Sequence, residues 1–239
     1  MRFFTLGLMV VVLVSCQEQF KKKGTSINLP NHEKLAKLDV ALPEPTDGDW
    51  LIHHLEAGQT FEQYLAKNPV TISNKRSTIY LQPIGAFTPL EQKMLDYTAE
   101  YVGYFFGLRT VMLEPIAANV IPDEKKRIQF ETQQLDASYI IRNVLPDEIP
   151  GDGIIIMGLT AQDLYPKPEW NYVFGLASYS QRTAVTSMFR FTDSTFSDEN
   201  YSLCLSRLIK TSTHEIGHMF TIAHCTHASC LMNGSNHIV

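Results

Sequence analysis

The pattern of apolar and polar positions divides the chain into three stretches of different character. Phe3 to Val14 is an almost unbroken apolar run behind a single Arg2. About twelve residues are too few to span a bilayer as a permanent helix, but they fit the apolar core of a secretory signal. From Gln17 to Asp49 the chain is polar, holds Lys21-Lys22-Lys23 and three prolines, and shows no sustained period, as expected of a tether. Domain-like patterning begins at Trp50. Leu51 to Ala66 fits one amphipathic helix, or two short ones broken at Gly58. Thr78 to Pro83 is β-branched and aromatic, the mark of a strand. Thr88-Pro89 then supplies a cap and a first-turn proline for a helix that runs to about Phe106, where Gly107 closes it. Leu90, Met94, Tyr97, Tyr101, Tyr104 and Phe105 are expected on its inner face.

Arg109 to Leu113 is expected as a second strand and Thr132 to Leu145 as a second helix, with Leu135, Tyr139, Ile140 and Val144 at helical spacing. Gly153 to Leu159 is continuously apolar, as in a strand buried on both faces. Val173 to Tyr179 and Ala184 to Phe191 are further strands, and Ser202 to Phe220 is a last long helix. Strands alternating with helices imply a layered α/β (α+β) domain around a mixed sheet, spanning residues 50–239.

Composition changes this picture little. The 239 residues are 44% hydrophobic and 19% charged, which suits one globular domain with flanking segments. A net charge of −5 provides no basic footprint, so nucleic acid is not an expected partner. Four cysteines, Cys16, Cys204, Cys225 and Cys230, are too few for a disulfide scaffold. The apolar run ends in Leu13-Val14-Ser15-Cys16, which resembles a bacterial lipoprotein cleavage box. The expectation is a signal peptide over 1–16, acylation at Cys16, and a polar tether over 17–49. The domain would then be lipid-anchored in a bacterial cell envelope, facing the periplasm or on the outer membrane, as a monomer.

The chemistry lies in the last helix. His214-Glu215-Ile216-Gly217-His218 places two imidazoles four residues apart, about 40° around the axis and about 6 Å along it, so both can face one cation. Glu215 is turned about 100° from His214, away from the ligand set but within reach of a water on the metal. A hydrolytic zinc site needs three protein ligands and one open position. His224, after a reversal of the chain, is placed to be the third.

The stretch from His214 to His237, HEIGHMFTIAHCTHASCLMNGSNH, resembles the archaemetzincins, a family of metzincin-type zinc peptidases with the pattern HExxHxxGxxHCx4CxM and a later CxxC pair. Asp163 to Gly175, Lys75-Arg76-Ser77 and Phe106-Gly107-Leu108-Arg109 also resemble the family. The resemblance implies a metzincin-like mixed sheet, with zinc held by His214, His218 and His224 and with Glu215 as general base. It implies Met232 as the methionine of a turn packed beneath the metal. Cys225 and Cys230 match two of four thiolates of a second, structural zinc, and no CxxC pair follows before Val239. Tyr172 to Ser178 corresponds to the edge strand that takes an extended peptide. Thr221 stands where the family has glycine, so a strained or differently shaped turn is expected there. The activity implied is zinc-dependent peptide hydrolysis; the alternatives are a non-catalytic relative that binds zinc or peptide, and a surface domain that uses no metal.

Overall fold

The computed structural model describes residues 32–192 and 195–237. The signal segment 1–16, the lipidation site Cys16 and the tether as far as residue 31 lie outside the described residues. A five-residue helix, α1 (His32–Ala36), belongs to a first unit that ends at Asp39. The main compact unit begins at Val40, ten residues before the expected boundary at Trp50. The Val40 carbonyl accepts from the Ser229 N–H, and Ala41 bridges Ala228. Backbone pairing of this kind carries no side-chain period, so a polar, proline-containing stretch conceals it.

Two short helices, α2 (Trp50–His53) and α3 (Phe61–Ala66), follow, with Gly58 between them at φ +70°. Next come β1 (Thr78–Ile84), α4 (Pro89–Phe106), β2 (Arg109–Met112), β3 (Lys126–Gln129), β4 (Thr132–Asp136), α5 (Ala137–Tyr139) and, after a π-helical turn over Ile140–Val144, α6 (Leu145–Glu148). The chain continues through β5 (Gly153–Thr160), β6 (Asp163–Tyr165), β7 (Gly175–Ser178) and β8 (Thr183–Ser187) to the long helix α7 (Tyr201–Met219).

The main sheet has the order β2-β1-β5-β8-β7, parallel except for β7, which runs antiparallel along β8 at the edge. All eight residues of β5 are buried because helices cover both faces. Alternation sorts them. Ile155, Met157 and Leu159 meet Met94, Leu95 and Val102 of α4 and Leu208, Ile216 and Met219 of α7. Ile156 faces the opposite cluster, with Ile140, Ile141 and Leu145. α7 is thereby pressed along one face of the sheet beside its antiparallel edge.

Two expectations are corrected. α4 has the expected limits, with a reciprocal Thr88–Glu91 capping box and Gly107 in the left-handed region at its end. Its buried face, however, is Met94, Leu95, Thr98 and Val102, while Tyr97, Tyr101, Tyr104 and Phe105 are exposed. Both stripes have the helical period, so periodicity alone cannot choose between them. The aliphatic stripe wins because it lets the helix approach the sheet closely. Thr132 to Leu145 is not one helix. Its first five residues form β4, antiparallel to β3 and parallel to β6 in a three-stranded sheet. The helical stretch starts at Ala137, where the Asp136 side chain accepts from the Tyr139 N–H. Phe130 and Glu131, at φ +51° and +59°, make the preceding hairpin turn without glycine, so the usual turn signal is missing.

Candidate metal centre

α7 embeds its C-terminal turns in the core, with Ile216, Gly217, His218 and Met219 all buried. Its end fixes where the chain goes next. The Thr221 N–H donates to the His218 carbonyl and the Ile222 N–H to the Gly217 carbonyl, the paired bonds of a Schellman stop. Thr221 occupies the left-handed position at φ +74°. The expected strain is therefore real, at about 1–2 kcal/mol for a residue carrying a Cβ. The turn nevertheless keeps its ordinary hydrogen-bond pattern and brings His224 back toward the helix.

His214, His218 and His224 converge. One ring nitrogen from each lies within 4.8 Å of the others, so a common point exists at most about 2.8 Å from all three, near the ~2.0–2.1 Å of a Zn–N bond. Their ring centroids are 4.5, 5.2 and 4.8 Å apart. In every ring Nδ1 already has an oxygen partner. The Leu231 carbonyl lies 2.8 Å from His214, the Ile222 carbonyl 2.7 Å from His218, and both carboxylate oxygens of Glu56 lie 2.9 Å from His224. A carbonyl can only accept, so Nδ1 of His214 and His218 must carry the proton, and Nε2 keeps its lone pair for a metal. Burial pushes the pKa of His214 down; burial, and secondarily the charge of His214, takes His218 to about 3. Neutral imidazoles with outward N–H bonds and inward lone pairs are the donor set that zinc takes, and the residues fit it.

Glu215 is buried, and burial raises its carboxyl pKa to about 8. It lies against the backbone of β7. A Cβ built on Gly175 would meet Glu215 Oε1 at 2.5 Å and its Cδ at 2.9 Å, so only glycine lets the carboxyl occupy this place. Met232 packs under the helix at Gly217. A Cβ on Gly217 would come 2.6 Å from its sulfur, so the missing side chain at 217 is the seat of Met232. Cys225 and Cys230 join no cluster of three or more ligating side chains among the described residues. Instead the Cys225 N–H donates to the Met232 carbonyl, and the Asn233 side chain accepts from the Cys230 N–H, closing the loop that holds Met232.

Several neighbours of the site escaped the sequence reading. Glu56 and Gln59 come from the link between α2 and α3, a stretch expected to be helical on either side of Gly58 but irregular from His54 to Thr60. His54 stacks on Trp50 at 3.8 Å and lies 5.8 Å from Trp170, while Trp50 meets the His224 ring edge-on. The Tyr179 hydroxyl, beyond β7, lies 3.1 Å from His218 Nδ1. Its pKa is raised by burial and then by the negative charges of Glu215 and Glu56. The aromatic residues Trp50 and Trp170 are the one signal that would have pointed to the missed neighbours, whereas Tyr179 directly follows the segment Tyr172 to Ser178 that the resemblance had singled out.

Fold and site together define a class: an α/β domain whose long C-terminal helix and the turn after it gather three histidines and a buried glutamate beside a sheet edge. Residues 124–239 match the model of peptidase family M54. Human archaemetzincin-2 is 34% identical over 235 residues, covering 83% of this chain and 63% of that protein. Human archaemetzincin-1 is 27% identical, over 80% of this chain and 44% of that protein. The crystal structure of archaemetzincin from Methanopyrus kandleri superposes with a TM-score of 0.55 at 27% identity, over 69% of this chain and 84% of that one. The chain belongs to peptidase family M54, the archaemetzincins. It spans less than two thirds of the length of these curated relatives.

Proposed function

We propose that this chain is a zinc-dependent peptidase that hydrolyses peptide bonds, with zinc held by His214, His218 and His224 and with Glu215 as general base. The observation that carries the reading is the convergence of three ring nitrogens within 4.8 Å beside a buried carboxyl. When bound, zinc supplies Lewis acidity toward the scissile carbonyl and makes water a stronger acid. Glu215 takes a proton from the attacking water and passes it to the leaving amine. A carboxyl held near 8 by burial has a proton affinity close to neutral pH, which suits both halves of that transfer.

β7 supports an extended substrate. Its outer edge pairs with no strand among the described residues, so a peptide can add there as a further strand. Gly175 on that strand touches Glu215, which brings the base to the substrate backbone. A cavity of about 360 Å³ beside Leu176, Ser178 and Tyr179 gives room for side chains pointing away from the metal. The same proposal places the chain in a bacterial envelope through an acyl group on Cys16, on the strength of the apolar run that precedes it. Mass spectrometry of the mature N-terminus would find that lipid; an unmodified Cys16 or an intact Met1 would reject the anchor.

The central test is cleavage of a peptide library by the purified protein, zinc-loaded and after chelation. Cleavage that needs zinc and falls about 10²–10⁴-fold in Glu215→Ala is expected. Zinc binding with no cleavage of any peptide would favour the non-catalytic relative, and cleavage unchanged by Glu215→Ala would reject the assigned base.

A further inference from the structure

We infer that the link between α2 and α3 is a working part of the metal centre, in which Glu56 positions the third ligand, His224, and Gln59 clamps the turn that delivers it. This rests on the zinc reading above. Glu56 presents both carboxylate oxygens to His224 Nδ1 at 2.9 Å. The Gln59 side chain makes two bonds to the reversal after α7: its amide donates to the Thr221 carbonyl at 3.2 Å, and its oxygen accepts from the Ala223 N–H at 3.0 Å. More than 160 residues separate these partners in sequence. The link also lies outside residues 124–239, the part matched by the family model.

The link is built for this task. Its far end is fixed by the capping box of α3, where Thr60 and Gln63 bond reciprocally, directly after Gln59. Its near end is fixed by Trp50, which stacks on His54 and meets the His224 ring. Between Glu56 and Gln59, Gly58 at φ +70° comes so close to Thr226 that a Cβ there would lie 2.5 Å from the threonine Oγ1. Only glycine allows both that conformation and that approach. The link therefore lies directly on the loop carrying His224.

The two side chains do different things. His214 and His218 are oriented by carbonyls, which accept a hydrogen bond but carry no charge. His224 alone faces a carboxylate, and its side chain is 17% exposed against 28% for Glu56. A carboxylate behind an imidazole fixes the tautomer, makes the opposite nitrogen a stronger donor and offsets part of the charge of a bound dication. Gln59 acts on the backbone. The turn it spans includes Thr221 in the left-handed region, and its two bonds hold that strained reversal against relaxing and carrying His224 away.

The test uses the full chain and reads metal binding directly: zinc affinity by competition with a chromophoric chelator, the rate of zinc release, and the visible spectrum of the cobalt-substituted protein. Glu56→Gln, similar in shape but uncharged, should weaken zinc binding about tenfold, and Glu56→Ala about 100-fold with an altered cobalt spectrum. Glu56→Asp should recover part of the loss. Gln59→Leu should speed zinc release, and adding Thr221→Gly should reverse that effect by removing the strain the clamp opposes. Thermal unfolding of each metal-free variant within a few degrees of wild type separates loss of the centre from loss of the fold. Zinc affinity within twofold of wild type and an unchanged cobalt spectrum in Glu56→Gln and Glu56→Ala would overturn the role of Glu56; the same zinc release rate in Gln59→Leu would overturn that of Gln59. A wild-type protein that binds zinc but cleaves nothing would sink the peptidase reading and leave this inference to be judged on the metal data. One that binds no zinc would sink both.

Discussion

The three histidines are held in two different ways. His214 and His218 ride on a nineteen-residue helix whose inner face is part of the main core, and their spacing is fixed by the helix itself. His224 rides on an irregular loop, behind a left-handed threonine, and is held by side chains from a distant segment. The first arrangement draws its rigidity from secondary structure and burial. The second draws it from a few long-range hydrogen bonds. A ligand of the first kind is hard to disturb without unfolding something, whereas one of the second kind can be loosened alone. The loop-borne corner is thus the one at which the affinity of the centre can be tuned without unfolding the chain.

The comparison breaks most visibly at the helix. His218→Ala removes a ligand whose partners stay fixed, so the other two cannot close in to compensate. Structural zinc sites are worth roughly 10–16 kcal/mol over their ligands, so one of three should account for about three orders of magnitude in affinity. Dialysed His218→Ala protein should contain no zinc by elemental analysis. Stoichiometric zinc in that variant would show that the helix does not dominate the site.

Gly175→Ala sharpens the comparison by disturbing the base and leaving the ligands alone. The added methyl group would overlap Glu215 Oε1, Cγ and Cδ. Displacing a catalytic group by about 1 Å costs about 100-fold in rate. kcat should fall by that order while zinc content stays at one per chain. Loss of zinc together with activity would mean that β7 supports the metal as well as the base.

The same division explains what could be read from sequence. His214, Glu215 and His218 were legible because a helix converts spacing into direction, and the helix was legible from its own apolar period. β1 and β5 were legible because burial leaves continuous or β-branched runs. Glu56 and Gln59 were not, since their partners lie more than 160 residues away and nothing local encodes the match. β4 was missed for a related reason. Leu135 suits a helix or a strand, and the choice was made by pairing with β3 and β6 across a hairpin turn that lacks glycine. The exposed aromatic stripe of α4 shows the converse failure, a clear period assigned to the wrong face.

The pH dependence of the metal-free protein isolates the helix-borne half of the site. Glu215 has a folded pKa of about 8 against 4.5 unfolded, so the folded state holds the extra proton between those values. Its contribution is fully present below about 4.5 and is lost as pH rises toward 8, with a slope on the order of 1 kcal/mol per pH unit. His218 acts in the opposite sense. Its folded pKa of about 3 lies below 6.5, so its contribution is present above 6.5 and is lost as pH falls toward 3. Between pH 6.5 and 8 the Glu215 slope stands without that opposition. Glu215→Gln should flatten this limb in denaturant titrations of metal-free protein, and a limb of equal slope in the variant would refute the burial argument.

Thr221→Gly addresses the loop and should have the smallest effect. Relief of a left-handed Cβ gains about 1–2 kcal/mol, and the greater freedom of glycine in the unfolded chain takes back about 0.5–1. The balance is a rise of about 2–4 °C in the melting temperature of the zinc-saturated protein. Because Gln59 already spans the turn, zinc release should stay at the wild-type rate even though stability rises. A stability gain without change in metal kinetics would show that the strain at Thr221 is absorbed by the clamp. Faster zinc release in Thr221→Gly would mean instead that the threonine itself stiffens the path to His224, and the loop-borne ligand would then owe its place to local backbone as much as to its distant partners.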